Sequence, residues 1–238
     1  ILGNESSKAI GTKSVWPDKV VEIKPVGIDD AEIVWEWSFW DHTIQNLDNT
    51  KDNFGNISEH PELLDINFGD SGQDWLHCNG IDYNHLSDQI AISCKNTNEI
   101  YIIDHSTTTL EASSHSGGNS GMGGDILYRW GNPEAYRAGT NSDQQLFGQH
   151  DVQWIESDRP HAGELIVFNN GNGRNTLYSS VDIIAPPENN GTYIKNAGEP
   201  FGPSNTSWSW DIGTDMYAPS ISGVERLPNG NTLITYGT

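Results

Sequence analysis

The 238-residue chain carries 12 basic against 33 acidic side chains, a net charge of −21, which repels nucleic acid and anionic membrane and removes both as partners. It is long enough to bury a large core, and it has no run of about 18 apolar residues that would span a membrane. Its 25 glycines, nine tryptophans and eight tyrosines favour many turns between short strands packed by large rings.

The chain begins Ile1-Leu2-Gly3-Asn4, with neither Met nor a signal peptide, as a mature, processed or truncated chain would. Sequons at Asn4, Asn56, Asn190 and Asn205 are about what chance supplies in an Asn-rich chain. Residues 18–24 and 32–40 read as third and fourth strands of a unit, preceded by the stub of a second strand. Trp35-Glu36-Trp37 gives the last of them an aromatic-x-aromatic pattern. Residues 41–74 read as an insertion. It holds Asp41-His42 and the run Asp65-Ile66-Asn67-Phe68-Gly69-Asp70, whose spacing does not match an EF-hand loop and reads as a solvated turn.

Residues 75–131 form the first whole unit, with short β-branched or aromatic segments at 77–83, 89–93, 99–104 and 125–130. Its 106–124 segment, rich in Ser, Thr and Gly, reads as a flexible surface loop. Residues 150–211 repeat the order, with strands at 151–155, 164–168, 179–184 and 207–211. A partial unit closes the chain, with strands at 222–228 and 231–236 around the turn Leu227-Pro228-Asn229-Gly230-Asn231. Ile81, Val152 and Val224 hold equivalent places, 71 and 72 residues apart. Such four-stranded antiparallel repeats predict an all-β propeller in a single domain. The chain supplies about three blades where roughly four to eight close a ring, so it reads as a fragment. The alternative is a pair of sandwich-like sheets.

The hairpin at 77–95 carries the first chemistry. A turn centred on Leu86 pairs Tyr83 with Gln89, Ile81 with Ala91, Asn79 with Ser93, Cys78 with Cys94 and His77 with Lys95. Strand side chains alternate faces, so His77, Asn79, Ser93 and Lys95 share one face. Cys78 and Cys94 meet on the other, within reach of a disulfide if the chain is exported, or as two buried thiols if not. The polar face suits an anionic group, and equally a hairpin end that simply meets water. His150 holds the matching place in the next unit, so His77 and His150 converge at one mouth of a central channel. A neutral imidazole is a competent nucleophile near pH 7. A metal is the weaker reading of this pair, because no third ligand stands at a telling spacing and Lys95 repels a cation.

These residues bring the sequence to a resemblance. Asp74-Trp75-Leu76-His77-Cys78-Asn79, Ile92-Ser93-Cys94-Lys95, Gln149-His150-Asp151-Val152-Gln153-Trp154-Ile155, Phe168-Asn169-Asn170-Gly171-Asn172-Gly173-Arg174 and Tyr217-Ala218-Pro219-Ser220-Ile221-Ser222 resemble, in order, stretches of the bacterial aryl-sulfate sulfotransferases. The resemblance covers roughly residues 70–238, and residues 1–69 match only as generic blade. It implies a six-bladed propeller, periplasmic or secreted, that moves a sulfuryl group from an aryl sulfate to a phenol without a nucleotide donor or other cofactor. It makes His150 the histidine that is transiently sulfated, His77 and Asn79 a sulfate-contacting pair, and Lys95 the counterpart of a family arginine. It places Arg174, Tyr217, Ser220 and Ser222 toward the substrate. Lys95 keeps the charge of that arginine but not its bidentate fork. Ile221 falls on or near a family threonine, and a further family histidine would precede Ile1. A homo-oligomer is left open.

Two rival readings remain at this level. One is a non-catalytic propeller that binds a ligand or joins a surface assembly. The other is a lyase or hydrolase built on His and Tyr, with Asp41-His42, Asp104-His105 and Tyr217 as parts, although the two Asp-His pairs fit turn capping at strand ends better.

Overall fold

The computed structural model describes residues 15–69 and 72–237. The Asn4 sequon, Asp70 and the strand stub expected near the N-terminus lie outside the described residues. In chain order the strands are β1 (Lys19–Val26), β2 (Asp30–Ser38), β3 (Thr43–Ile44), β4 (Leu64–Asp65), β5 (Cys78–Asn84), β6 (Gln89–Cys94), β7 (Glu99–Asp104) and β8 (Tyr128–Trp130). They continue as β9 (His150–Trp154), β10 (Leu165–Asn169), β11 (Ser180–Ile184), β12 (Glu188–Asn189), β13 (Thr192–Tyr193), β14 (Trp208–Trp210), β15 (Gly223–Arg226) and β16 (Thr232–Thr235). Among the described residues one short α-helix, α1 (Thr109–Ala112), interrupts them.

The protein is all-β, and its main sheets are propeller blades. Two are four-stranded and antiparallel, ordered β5-β6-β7-β8 and β9-β10-β11-β14. Hairpins β1-β2 and β15-β16 flank them. The middle strands β6, β7, β10 and β11 are buried along their whole length, which is why Gln89-Ile90-Ala91-Ile92-Ser93 reads as a continuous run with little alternation. Both faces of such a strand meet another sheet.

Period two then sorts each strand between two cores. Ile90, Ile92, Tyr101 and Ile103 pack with Trp35 and Trp37 of β2. Their neighbours Ala91, Ile100 and Ile102 pack the other way, against Val152, Leu165 and Val167 of the next blade. Ile166, Phe168, Val181 and Ile183 pack onward with Val224 of β15. The first strand of the blade behaves differently: in β5, Ile81 and Tyr83 are 60% and 49% exposed, as expected of a strand that lines a channel. Gly80 lets β5 lie against β9, because a Cβ there would sit 2.9 Å from the Val152 nitrogen.

Three features depart from the sequence expectations. The β5-β6 register is one residue off over most of its length, pairing Asn84 with Gln89, Tyr83 with Ile90, Ile81 with Ile92 and Gly80 with Ser93. A bulge at Asn79 absorbs the slip and restores Cys78 opposite Cys94, where the two form a disulfide. Asn79 is therefore the extra residue of a bulge and does not pair with Ser93.

Asp65 is not in a solvated turn. It is 4% exposed, its Oδ2 accepts from Arg137 at 2.6 Å, and its Oδ1 accepts the Asn67 N–H at 3.0 Å. Those partners leave no calcium-like arrangement there. The 106–124 segment is also built rather than loose. Thr108 and Glu111 form a reciprocal capping box on α1, and Asp104 accepts from the backbone N–H groups of Ser106 and Ser120.

Candidate active site

His150 opens β9 at a second bulge, lying opposite Phe168 while Gln153 lies opposite Ile166. The next residue, Asp151, has φ of 60°, a left-handed conformation that costs a non-glycine residue and turns the chain sharply. The Asp151 carboxylate meets the following blade, accepting the Val224 N–H at 2.7 Å. Gly223 keeps that approach open, because a Cβ there would lie 2.6 Å from Asp151 Oδ2.

The His150 ring is 8% exposed, and its orientation is set by two acceptors. Nδ1 lies 2.8 Å from Asn170 Oδ1 and 3.0 Å from the Gly148 carbonyl. The Asn170 amide cannot be turned round, because its Nδ2 donates to the Ala218 and Ile221 carbonyls at 2.8 and 2.9 Å. With only acceptors facing it, Nδ1 carries the proton, and Nε2 holds the lone pair. Burial pushes the His150 pKa below its usual value. The hydrogen bonds to Asn170 and Gly148 oppose that shift, and the positive charges of Lys95 and His77 add to it. The ring is thus a neutral imidazole at pH 7 with Nε2 as its free nitrogen.

Three sequence-selected residues gather round it. The Lys95 stem runs beside the segment that leads into His150, since a Cβ on Gly148 would lie 3.9 Å from Lys95 Cγ. Among the described residues no carboxylate pairs with Lys95, so its charge is unspent in a strongly acidic chain. His77 has φ of 52° and is bound through Nδ1 to the Asp74 carboxylate, which leaves Nε2 as the free ring nitrogen. The Lys95 N–H donates to the His77 carbonyl at 3.2 Å, so the two stay together beyond the disulfide. Asn79 Nδ2 donates to the Gln149 carbonyl at 2.9 Å, tying the first blade to the residue before His150. One amide hydrogen remains.

The other candidates are placed differently. Arg174 is bound within its own loop. It donates to the Tyr178 carbonyl at 3.0 Å and Ser180 Oγ at 2.9 Å, and its guanidinium stacks 4.2 Å from the Tyr178 ring. Ser222 Oγ accepts the Gly237 N–H at 3.2 Å and closes the β15-β16 hairpin. Tyr217 and Ser220 are half-buried, and their segment reaches His150 through Asn170. Ile221, 68% exposed with φ of 57°, is a β-branched residue in the left-handed region, a genuine outlier. The Asp104 carboxylate is taken up by Ser106 and Ser120, and His105 by Asp88 at 2.8 Å. Neither is free for hydrolysis.

Two positioning residues were not singled out from sequence. Asn170 sits inside the Asn-Gly-Asn-Gly-Arg stretch, where Arg174 draws the eye. Gln149 is fully buried, and its amide nitrogen donates to the Cys94 and Glu99 carbonyls at 3.1 and 2.9 Å. It pins the start of β9 onto the neighbouring blade. A cavity of about 590 Å³ lies at the opposite end of the blades, lined by Asn84, Gln89, Asp104 and Tyr193. It presents no nucleophile of the His150 kind, so chemistry rather than volume selects the His150 mouth.

The family model for Arylsulfotransferase (ASST) matches residues 3–238 of the chain. No curated protein matches it.

Proposed function

Because the chain belongs to the arylsulfotransferase family, we propose that it transfers a sulfuryl group from an aryl sulfate to a phenol through a sulfated His150. The observation that carries this reading is the His150 ring itself, neutral, with Nδ1–H held by Asn170 and Gly148 and Nε2 free beside an unpaired Lys95. Nε2 attacks sulfur, the S–O bond to the aryl group breaks, and the phenolate leaves with the bonding electrons. The ring then carries an N–S bond and a positive charge, which the acceptors at Nδ1 stabilise. A second phenol attacks the same sulfur as its proton passes to solvent, and the N–S bond breaks with its electron pair returning to Nε2. Lys95, His77 and the remaining Asn79 amide hydrogen offer positive charge and donors to the sulfuryl oxygens, as clamps do in phosphoryl transfer. They also supply the local positive potential that an anionic substrate needs on a surface with net charge −21. Cysteines paired at the mouth of the site suit an oxidising compartment, so the site is proposed to work outside the cytosol.

Incubation with p-nitrophenyl sulfate in the absence of acceptor, followed by peptide mass mapping at alkaline pH, is expected to place one sulfuryl adduct on the peptide containing His150. An unmodified peptide in protein that still releases nitrophenolate would sink the reading, and a binding module would form no adduct at all.

The pH profile follows from the shift at His150. Its folded-state pKa lies below the usual histidine value of about 6.5. The nucleophilic form therefore predominates throughout the neutral range, and the acid limb of kcat/KM falls only below that value. A midpoint above about 7 on the acid limb would contradict a buried, neutral ring.

A further inference from the structure

We propose that His42, Asp125 and His115 form a zinc site, separate from the His150 mouth. Asp125 Oδ1 lies 2.8 Å from His42 Nδ1 and 2.7 Å from His115 Nδ1. The three ligand atoms all lie within 4.8 Å of one another. His42 is fully buried and Asp125 is 5% exposed. No lysine or arginine pairs with Asp125 among the described residues. A buried carboxylate between two imidazoles calls for positive charge beside it, which a protonated ring or a bound metal would supply, because an uncompensated charge away from water is costly.

The orientation of His42 points to a metal as the source of that charge. Its Nε2 faces the Ala112 carbonyl at 2.9 Å, an acceptor, so Nε2 carries a proton. With a metal between them, Nδ1 and Asp125 Oδ1 would each turn a lone pair toward it. A metal-bound histidine characteristically donates its other N–H to a backbone carbonyl in this way. The ring is also fixed sideways: the Trp37 indole stacks on it with planes 5° apart, and the Trp37 N–H donates to the Gly124 carbonyl at 2.7 Å. Gly124 is needed for the fit, because a Cβ there would come within 2.0 Å of the Ala112 oxygen and 2.7 Å of His42 Nε2. The Ser-, Thr- and Gly-rich segment is thus shaped to wrap His42 and bring His115 to it.

Two nitrogens and one carboxylate oxygen favour zinc over calcium or magnesium, which prefer all-oxygen sets. Metal bonds of about 2.0–2.1 Å in tetrahedral geometry require ligand atoms a little over 3 Å apart, so the cluster accepts zinc after opening by roughly half an ångström. His115 reaches the surface and borders a cavity of about 260 Å³ lined also by Asp41, Asp52 and His60. That cavity gives the ion a path of access and room for water as its fourth ligand. The carboxylates of Asp41 and Asp52 suit a cation rather than an anion.

The test is zinc binding by the purified chain after chelator treatment, followed by calorimetry and by thermal melting with ZnCl2. The wild type is expected to bind one equivalent and melt at higher temperature with zinc. His115→Ala, at an exposed position, should fold and bind at least ~100-fold more weakly, beyond what losing an outer partner costs. Asp125→Asn should do the same where it folds. His150→Ala should keep full affinity, which separates this site from the His77 and His150 pair. Absence of zinc binding by the wild type, or equal binding by His115→Ala, overturns the proposal in favour of a hydrogen-bonded histidine–aspartate–histidine cluster.

Discussion

Replacing His150 with alanine is expected to lower kcat for transfer from p-nitrophenyl sulfate by at least about 10⁴-fold, the scale on which loss of a nucleophile acts when no neighbour can replace it. The substitution leaves Asn170 Oδ1 without its partner, a cost of roughly 1–3 kcal/mol, which a propeller with three continuous cores can absorb. Far-UV circular dichroism should therefore be unchanged, and binding of a non-reactive aryl sulfonate should persist, because Lys95, His77 and Asn79 belong to the other blade. Turnover within tenfold of the wild type would rule out His150 as the nucleophile. Loss of turnover together with loss of the folded spectrum would call for His150→Gln, which keeps a donor toward Asn170.

The largest effect on stability is expected at Arg129. Arg129 and Glu99 are both fully buried, in the fourth and third strands of one blade, β8 and β7. Arg129 Nε donates to Glu99 Oε1 at 2.8 Å, and a second, closer bond joins Nη2 to Oε2. Burial pushes the Glu99 carboxyl up while Arg129 pulls it back, and Glu99 holds the guanidinium charged. Tyr101 stays protonated and donates to Glu99 at 2.9 Å. The remaining Arg129 donors reach the Leu63 and Pro61 carbonyls at 2.9 and 3.3 Å, so one side chain fastens the 41–74 excursion to the blade. Arg129→Met leaves Glu99 buried and unpaired, and should cost about 3–5 kcal/mol in urea unfolding. Replacing Glu99 and Arg129 together with apolar residues of similar volume should restore much of that. A single-variant loss below about 1 kcal/mol would mean the pair is no more than an ordinary surface contact.

The blades were legible in the sequence because the pattern that marks them is local. Short β-branched runs, turn residues and a spacing near 71 residues suffice to place β5 to β7 and β9 to β11. Register was not, because the bulge at Asn79 reflects the close passage of Gly80 over β9, and nothing between residues 77 and 95 announces a contact with residue 152. The Cys78–Cys94 pairing survives only because the turn and the bulge offset one another. His77, Lys95 and His150 could be read from strand position and charge. Asn170 could not, because its role depends on two carbonyls of the next blade that fix its amide. The His42, Asp125 and His115 cluster was equally hidden, since its members lie in an excursion and a loop where no period applies.

The bond between Asn79 and the Gln149 carbonyl has a kinetic consequence. In the proposed reaction the anion contacts ride on one blade and the attacking nitrogen on its neighbour, so the attack distance would be set by how far two sheets slide against each other. Loosening that junction, for example by shortening Asn79 to alanine, should leave the pKa and hydrogen bonds of the nucleophile intact and lower the fraction of bound sulfate within attacking range. At saturating substrate, which offsets the lost Asn79 contact to the sulfate, the penalty would appear in the single-turnover rate, making sheet alignment itself a reaction coordinate that viscosity or pressure can probe.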